Sequence, residues 1–183
     1  MPLTDKERKR LVALASAAVK SQICGGPVPV AGKTDGILSE MRGCFVTLTN
    51  SGRLRGCIGT FSPRLPLAEM IIEMAQAASG QDSRFFSDPI TPGELDALSI
   101  EVSVLSPLEE TEDPASLEVG KDGIFVVSGA QSGCFLPEVA TDQGWGAEEF
   151  LSFCCAHKAG LPPDAWKSPD TKVYLFTSEK FHG

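Results

Sequence analysis

The chain has 183 residues, 42% of them hydrophobic and 22% charged, the balance of a globular protein long enough to bury one core without metals or disulfides. A formal net charge of −8 argues against nucleic acid and anionic membrane surfaces as partners. No run reaches the roughly 18 apolar residues of a membrane span, and the opening Met1-Pro2-Leu3-Thr4 lacks a signal-peptide apolar stretch, so a cytoplasmic protein is expected.

In chain order, Thr4-Asp5-Lys6-Glu7 has the form of a capping box, and Leu11, Leu14, Ala15, Ala18 and Val19 then repeat at helical spacing, predicting an amphipathic helix over 4–23. Its basic residues Lys6, Arg8, Lys9 and Arg10 are interrupted by Asp5 and Glu7 and read as a solvated face. Cys24 to Asp35 is rich in Gly and Pro and reads as an irregular connection. Two β-like runs follow, 44–49 and 53–59, separated by Asn50-Ser51-Gly52, a three-residue hairpin loop with glycine last.

Pro66 and Gly80 bracket a second helix whose buried stripe is Met70, Ile71, Met74, Ala77 and Ala78. Strands are expected at 99–105, 124–128 and 172–177, and a helix from Ala147 to Lys158 ending at Gly160. Strands without regular βαβ alternation give an α+β fold, a largely antiparallel sheet with helices packed on it, read as a single domain over 1–183.

The segment Leu54-Arg55-Gly56-Cys57-Ile58-Gly59-Thr60 stands out. If opposite residues of the hairpin have numbers summing to 102, Leu54, Gly56 and Ile58 share the apolar face, Thr47 lies opposite Arg55, and Phe45 lies opposite Cys57. Cys57 then sits on a polar face with Arg53 and Arg55, where a neighbouring guanidinium favours a thiolate; it is expected to be the most reactive thiol. Gly56 and Gly59 leave backbone open to a ligand or another chain, and the N–H groups of the helix after Pro66 would add an anion-friendly end. The alternative is a strand that needs its glycines for packing.

These residues resemble the signature of the AMMECR-one domain family. The resemblance extends over six further blocks: Gly43-Cys44-Phe45-Val46-Thr47-Leu48, Pro66-Leu67-Ala68, Asp82-Ser83-Arg84-Phe85, Glu101-Val102-Ser103-Val104-Leu105, Phe135-Leu136-Pro137-Glu138-Val139 and Lys158-Ala159-Gly160-Leu161-Pro162. Ser83 stands where the family usually has proline, and Cys44 and Cys134 replace commoner residues. The resemblance implies two unequal lobes with the signature beside a cleft. It also implies an association with Memo-type dioxygenase-like and radical-SAM proteins, and no established activity.

Two readings therefore stand. One is a binding module that docks a partner protein or small anionic ligand through Arg55, Gly56, Ile58, Gly59, Thr60 and Arg84. The other is an enzyme or enzyme component using Cys57 as nucleophile or redox thiol, with Glu101, Asp82 or Arg84 supplying an acid, a base or an anion clamp. No cofactor is assigned. Cys154 and His157 lie at helical spacing, but Phe150 and Phe153 beside them suggest core rather than a metal site. His157 would serve as a base only by folding back onto Cys57, and His182 is expected to be disordered or exposed.

Overall fold

The Thr4 hydroxyl accepts the Glu7 N–H while the Glu7 carboxylate accepts the Thr4 N–H, and this reciprocal cap opens α1 (Asp5–Cys24) in a computed structural model that describes residues 2–183. Gly25, at φ 71°, closes the helix in the left-handed conformation. The chain divides into two compact units, the first running to Leu105 and taking up Glu179–Gly183, the second spanning Ser106–Ser178.

In the first unit, α2 (Leu67–Gly80) packs on α1 along one side and on β1 (Cys44–Asn50) and β2 (Arg53–Thr60) along the other. A helix covered on both sides is apolar nearly all round, hence Leu67, Ala68, Met70, Ile71, Ile72, Met74, Ala75, Ala77 and Ala78 are all buried. The sheet has the order β2-β1-β3-β8, with β3 at Leu98–Leu105 and β8 at Ser178–His182. β1 is antiparallel to both β2 and β3. Cys44, Val46 and Leu48 point every second residue into the helices and are fully buried.

The hairpin differs from the expected register in two places. The turn is Ser51-Gly52 alone, with φ of 51° and 80°, because positive φ at both central residues matches the twist of the flanking strands. Further along, the pairing slips between Thr49↔Leu54 and Leu48↔Gly56, leaving Arg55 as a bulge without a cross-strand partner. Two single-residue shifts add up to an even number. Cys57 therefore keeps its predicted face but lies opposite Thr47 instead of Phe45, whereas Leu54, before the bulge, lies opposite Thr49 on the face away from Val46 and Leu48.

The second unit has its own sheet, β4-β7-β5-β6, and its own core. β5 (Gly123–Ser128) is antiparallel to β6 (Gln131–Phe135) and to β7 (Lys172–Phe176), and β7 to the short β4 (Glu109–Thr111). α3 (Pro137–Gln143) and α4 (Ala147–Cys154) complete it. The helix expected to run to Lys158 changes to a π turn at Cys155–Ala159 before Gly160 ends it at φ 68°. Phe150, Leu151, Cys154 and Cys155 are buried, as the aromatic neighbours of Cys154 indicated.

Candidate functional site

The bulge decides where the arginines go. Arg53 extends outward, its side chain 70% exposed, and donates to Asp88. Arg55 turns inward and is 3% exposed. Its Nε donates to Glu94 Oε2 at 3.0 Å, its Nη1 to Asp88 Oδ2 at 2.9 Å, and its Nη2 to Glu94 Oε1 and the Pro89 carbonyl, both at 3.2 Å. Glu94 opens a 3-10 turn, Pro92–Ala97, with the Thr91 N–H and hydroxyl on its Oε1 and the Asn50 amide on its Oε2. The Thr91 N–H and then Arg55 pull the Glu94 carboxyl down to about 2, and hydrogen bonding to Glu94 holds the Arg55 proton above its ordinary value. The expectation that Arg55 faces Cys57 and polarises its thiol is thereby corrected: the guanidinium is consumed by two carboxylates and a carbonyl. A small anion finds no open fork there.

β2 is an edge strand, and the backbone of Cys57 points away from β1. Asp82 Oδ2 accepts the Cys57 N–H at 3.0 Å, and Arg84 Nη2 donates to the Cys57 carbonyl at 3.1 Å. Arg84 Nε and Nη2 also grip the Asp82 carboxylate at 2.9 and 2.6 Å, so the pair occupies both backbone groups much as a neighbouring strand would. Asp82 is buried, and Arg84, the Cys57 N–H and the Arg84 N–H together outweigh that burial, drawing its carboxyl down to about 2. Arg84 keeps its side chain 56% exposed.

Cys57 is half-buried as a residue, and its sulfur lies 3.2 Å from Thr47 Oγ1. Across the sheet, Thr47 is opposite Glu101 on β3, which pairs with Lys180 Nζ at 3.5 Å and His182 Nδ1 at 3.7 Å. One polar row thus crosses the face away from the helices. His182 belongs to β8 with its side chain 63% exposed, the second of the two alternatives expected for it. His157 stacks on Phe153 in the second unit, with ring centroids 5.6 Å apart. Among the described residues no three His, Cys, Asp or Glu side chains gather closely enough to hold a metal ion.

The glycines have a packing reason. A Cβ on Gly56 would run into the Ala78 carbonyl oxygen, and one on Gly59 into the Phe45 ring and the Cys44 carbonyl. The backbone expected to be open to a ligand is filled by the protein itself. Ala78 lies near the C-terminal end of α2, about 16 Å along the axis from Leu67, so the N–H end of that helix is not the end beside Gly56. Its first N–H is in any case taken by the Glu40 carbonyl at 2.8 Å. Ile58 is half-buried against the helix-side core, and Thr60 Oγ1 accepts the Ser62 N–H.

The AMMECR1 family model matches residues 12–181. The chain belongs to the AMMECR1 family. A Methanothermobacter thermautotrophicus protein is 43% identical to it over 188 residues, covering 99% of this chain and 96% of the relative. One from Thermococcus gammatolerans is 44% identical, covering 98% and 91%. The crystal structure of an uncharacterised Pyrococcus horikoshii protein aligns with a TM-score of 0.86 at 41% identity, covering 98% of this chain and 93% of that one. The α+β fold is common to both.

Of the family signature, Arg55, Gly56, Ile58 and Gly59 are accounted for by burial and close packing, which leaves the side chain of half-buried Cys57 and the exposed part of Arg84, whose Nη1 is not spent on Asp82 or the Cys57 carbonyl. Sequence reasoning missed Thr47, Asp88 and Glu94. Thr91-Pro92-Gly93-Glu94 does carry a capping-box signal, but nothing local indicates that its carboxylate also receives Arg55.

Proposed function

We propose that the protein is a binding module that docks a partner protein at the outer edge and polar face around Cys57 and Arg84. The observation that carries this reading is the partner of the Cys57 sulfur: it is the hydroxyl of Thr47, a group that takes no proton at neutral pH and so cannot serve as a base. The polar groups around it hold backbone in place instead of converging on one reacting atom. The sequence resemblance supports Memo-type and radical-SAM proteins as the partners, and free thiols on all six cysteines accord with a reducing cytoplasm.

A second reading, thiol chemistry at Cys57, is favoured by one feature: the residue is half-buried, not sealed as Cys44 is. Titration calorimetry of the purified chain against Memo-type and radical-SAM proteins separates the two. Docking predicts that Cys57→Ser and Cys57→Ala keep affinity within about threefold, while Arg84→Glu loses about tenfold or more. Partner binding intact in both cysteine variants, with cellular complementation abolished in both, would replace docking with thiol chemistry. Gly56→Val and Gly59→Val are unsuitable probes, since each drives a side chain into backbone.

A further inference from the structure

The end of α2, the Asp82–Ile90 loop and the Arg55 bulge line a half-open pocket of about 240 Å³, comparable to roughly eight waters of liquid. Ala78, Phe85, Phe86, Pro89 and Ile90 give it apolar walls, and Arg55 and Asp82 are its charged lining. Those two charges are already engaged, Arg55 by Glu94, Asp88 and the Pro89 carbonyl, Asp82 by Arg84 and the Cys57 N–H. Ser79 also lines it, with its hydroxyl on the Ala75 and Gln76 carbonyls, so what the pocket offers an incoming group is mainly apolar surface. At its rim Phe86 is 65% exposed, an unusual position for a phenylalanine and the only aromatic ring among the large apolar side chains this open in the described residues.

The charges beside the pocket are paired, Arg53 and Arg55 with Asp88, Arg55 also with Glu94, and Arg84 with Asp82. Exposure within these pairs is uneven: Asp82 is buried, whereas Arg84 is exposed and spends Nε and Nη2 on Asp82 and the Cys57 carbonyl, leaving Nη1 outside those bonds. On a chain with a net charge of −8, Arg84 is thus an exposed cation able to meet a carboxylate.

We propose that this cavity is the anchor pocket for the partner, receiving one aromatic or branched apolar side chain of an extended acidic segment. The anchor lies between Phe85, Phe86 and Ile90, and a flanking carboxylate meets Arg84. Such an arrangement has the form of a binding hot spot, an apolar anchor in a desolvated pocket with charges at the rim. The inference rests on the binding-module reading and gives the chemistry of what that module binds.

The test is a titration of the isotopically labelled full chain, followed by NMR, with acetyl-Glu-Phe-Glu-amide. The expected result is saturable shifts at the amides of Ala78, Ser79, Gly80, Phe85, Phe86 and Ile90. Acetyl-Lys-Phe-Lys-amide and acetyl-Glu-Ala-Glu-amide should each bind about tenfold more weakly, and Phe86→Ala should lose the response while keeping the rest of its spectrum. Absent shifts, shifts elsewhere, or equal binding of the three peptides would overturn the proposal. So would movement of the pocket resonances with protein concentration alone, which would make a second copy the occupant. Loss of the peptide response in a chain that still binds Memo-type or radical-SAM proteins removes only the pocket. A peptide that binds where those proteins do not leaves the pocket and removes their docking.

Discussion

A guanidinium that is 3% exposed must find partners for its donors, and Arg55 finds four acceptors within 3.2 Å. Removing it leaves the Glu94 carboxylate with Thr91 and Asn50 alone and opens space beside α2, so Arg55→Ala should cost about 2–4 kcal/mol. Ile58, half-buried, should cost about 1–2 kcal/mol on truncation to alanine. Denaturant melts of the two variants check the order, and a larger loss for Ile58→Ala would refute the assignment of Arg55 as a structural clamp. The thiols sort by exposure in the same way. Iodoacetamide labelling read by mass spectrometry should mark exposed Cys24 first and Cys57 second. Cys44 should stay protected until unfolding, its thiol pushed up to about 12 by burial, and Cys154 and Cys155, raised by burial too, should behave alike. A Cys57 faster than Cys24 would reveal an activation that Arg55 does not supply, and would favour thiol chemistry.

At the scale of elements, two glycines that look alike in the sequence differ physically. Gly56→Ala forces a Cβ against the Ala78 carbonyl and should cost more than about 3 kcal/mol, whereas Gly52→Ala meets nothing within 4 Å and carries only the strain of positive φ, about 1 kcal/mol. Thermal melts distinguish them. α1, α2 and α4 were legible because their signals are local, Thr4 with Glu7, Pro66 before Leu67 and Gly160 after the π turn, whereas α3 and the short strands β4, β6 and β8 were not. The hairpin was legible in position but not in register, since a bulge at Arg55 follows from a buried ion pair with residues 33 and 39 positions away. The same limit applies to the site. Cys57 was visible as the centre of an unusual run, but Thr47 as its neighbour depended on register, and the Asp82–Arg84 clip on an edge that only the assembled sheet defines.

For the whole molecule, Asp82 and Glu94 both sit near a pKa of about 2 when folded, against ordinary values of 3.8 and 4.5. Their stabilisation is complete above pH 4.5 and disappears as pH falls toward 2, because the unfolded chain takes up these protons first. Each contributes on the order of 2 kcal/mol. Stability measured against pH should fall through this window, and Glu94→Gln should make the fall shallower; an unchanged slope would mean that the Arg55 cluster does not govern the acid limb. The sheet of the first unit has another consequence. Its edge strand β8 lies beyond the whole second unit in the chain, and the Ser106 N–H bonds the Thr177 carbonyl while the Ser106 hydroxyl accepts the Thr177 N–H, each at 2.9 Å. During synthesis, β1, β2 and β3 leave the ribosome before their neighbour exists. A second unit that folds as it emerges brings the two ends of its own span together, sparing β8 most of the loop-closure entropy of finding β3. The first unit is thus begun first and finished last.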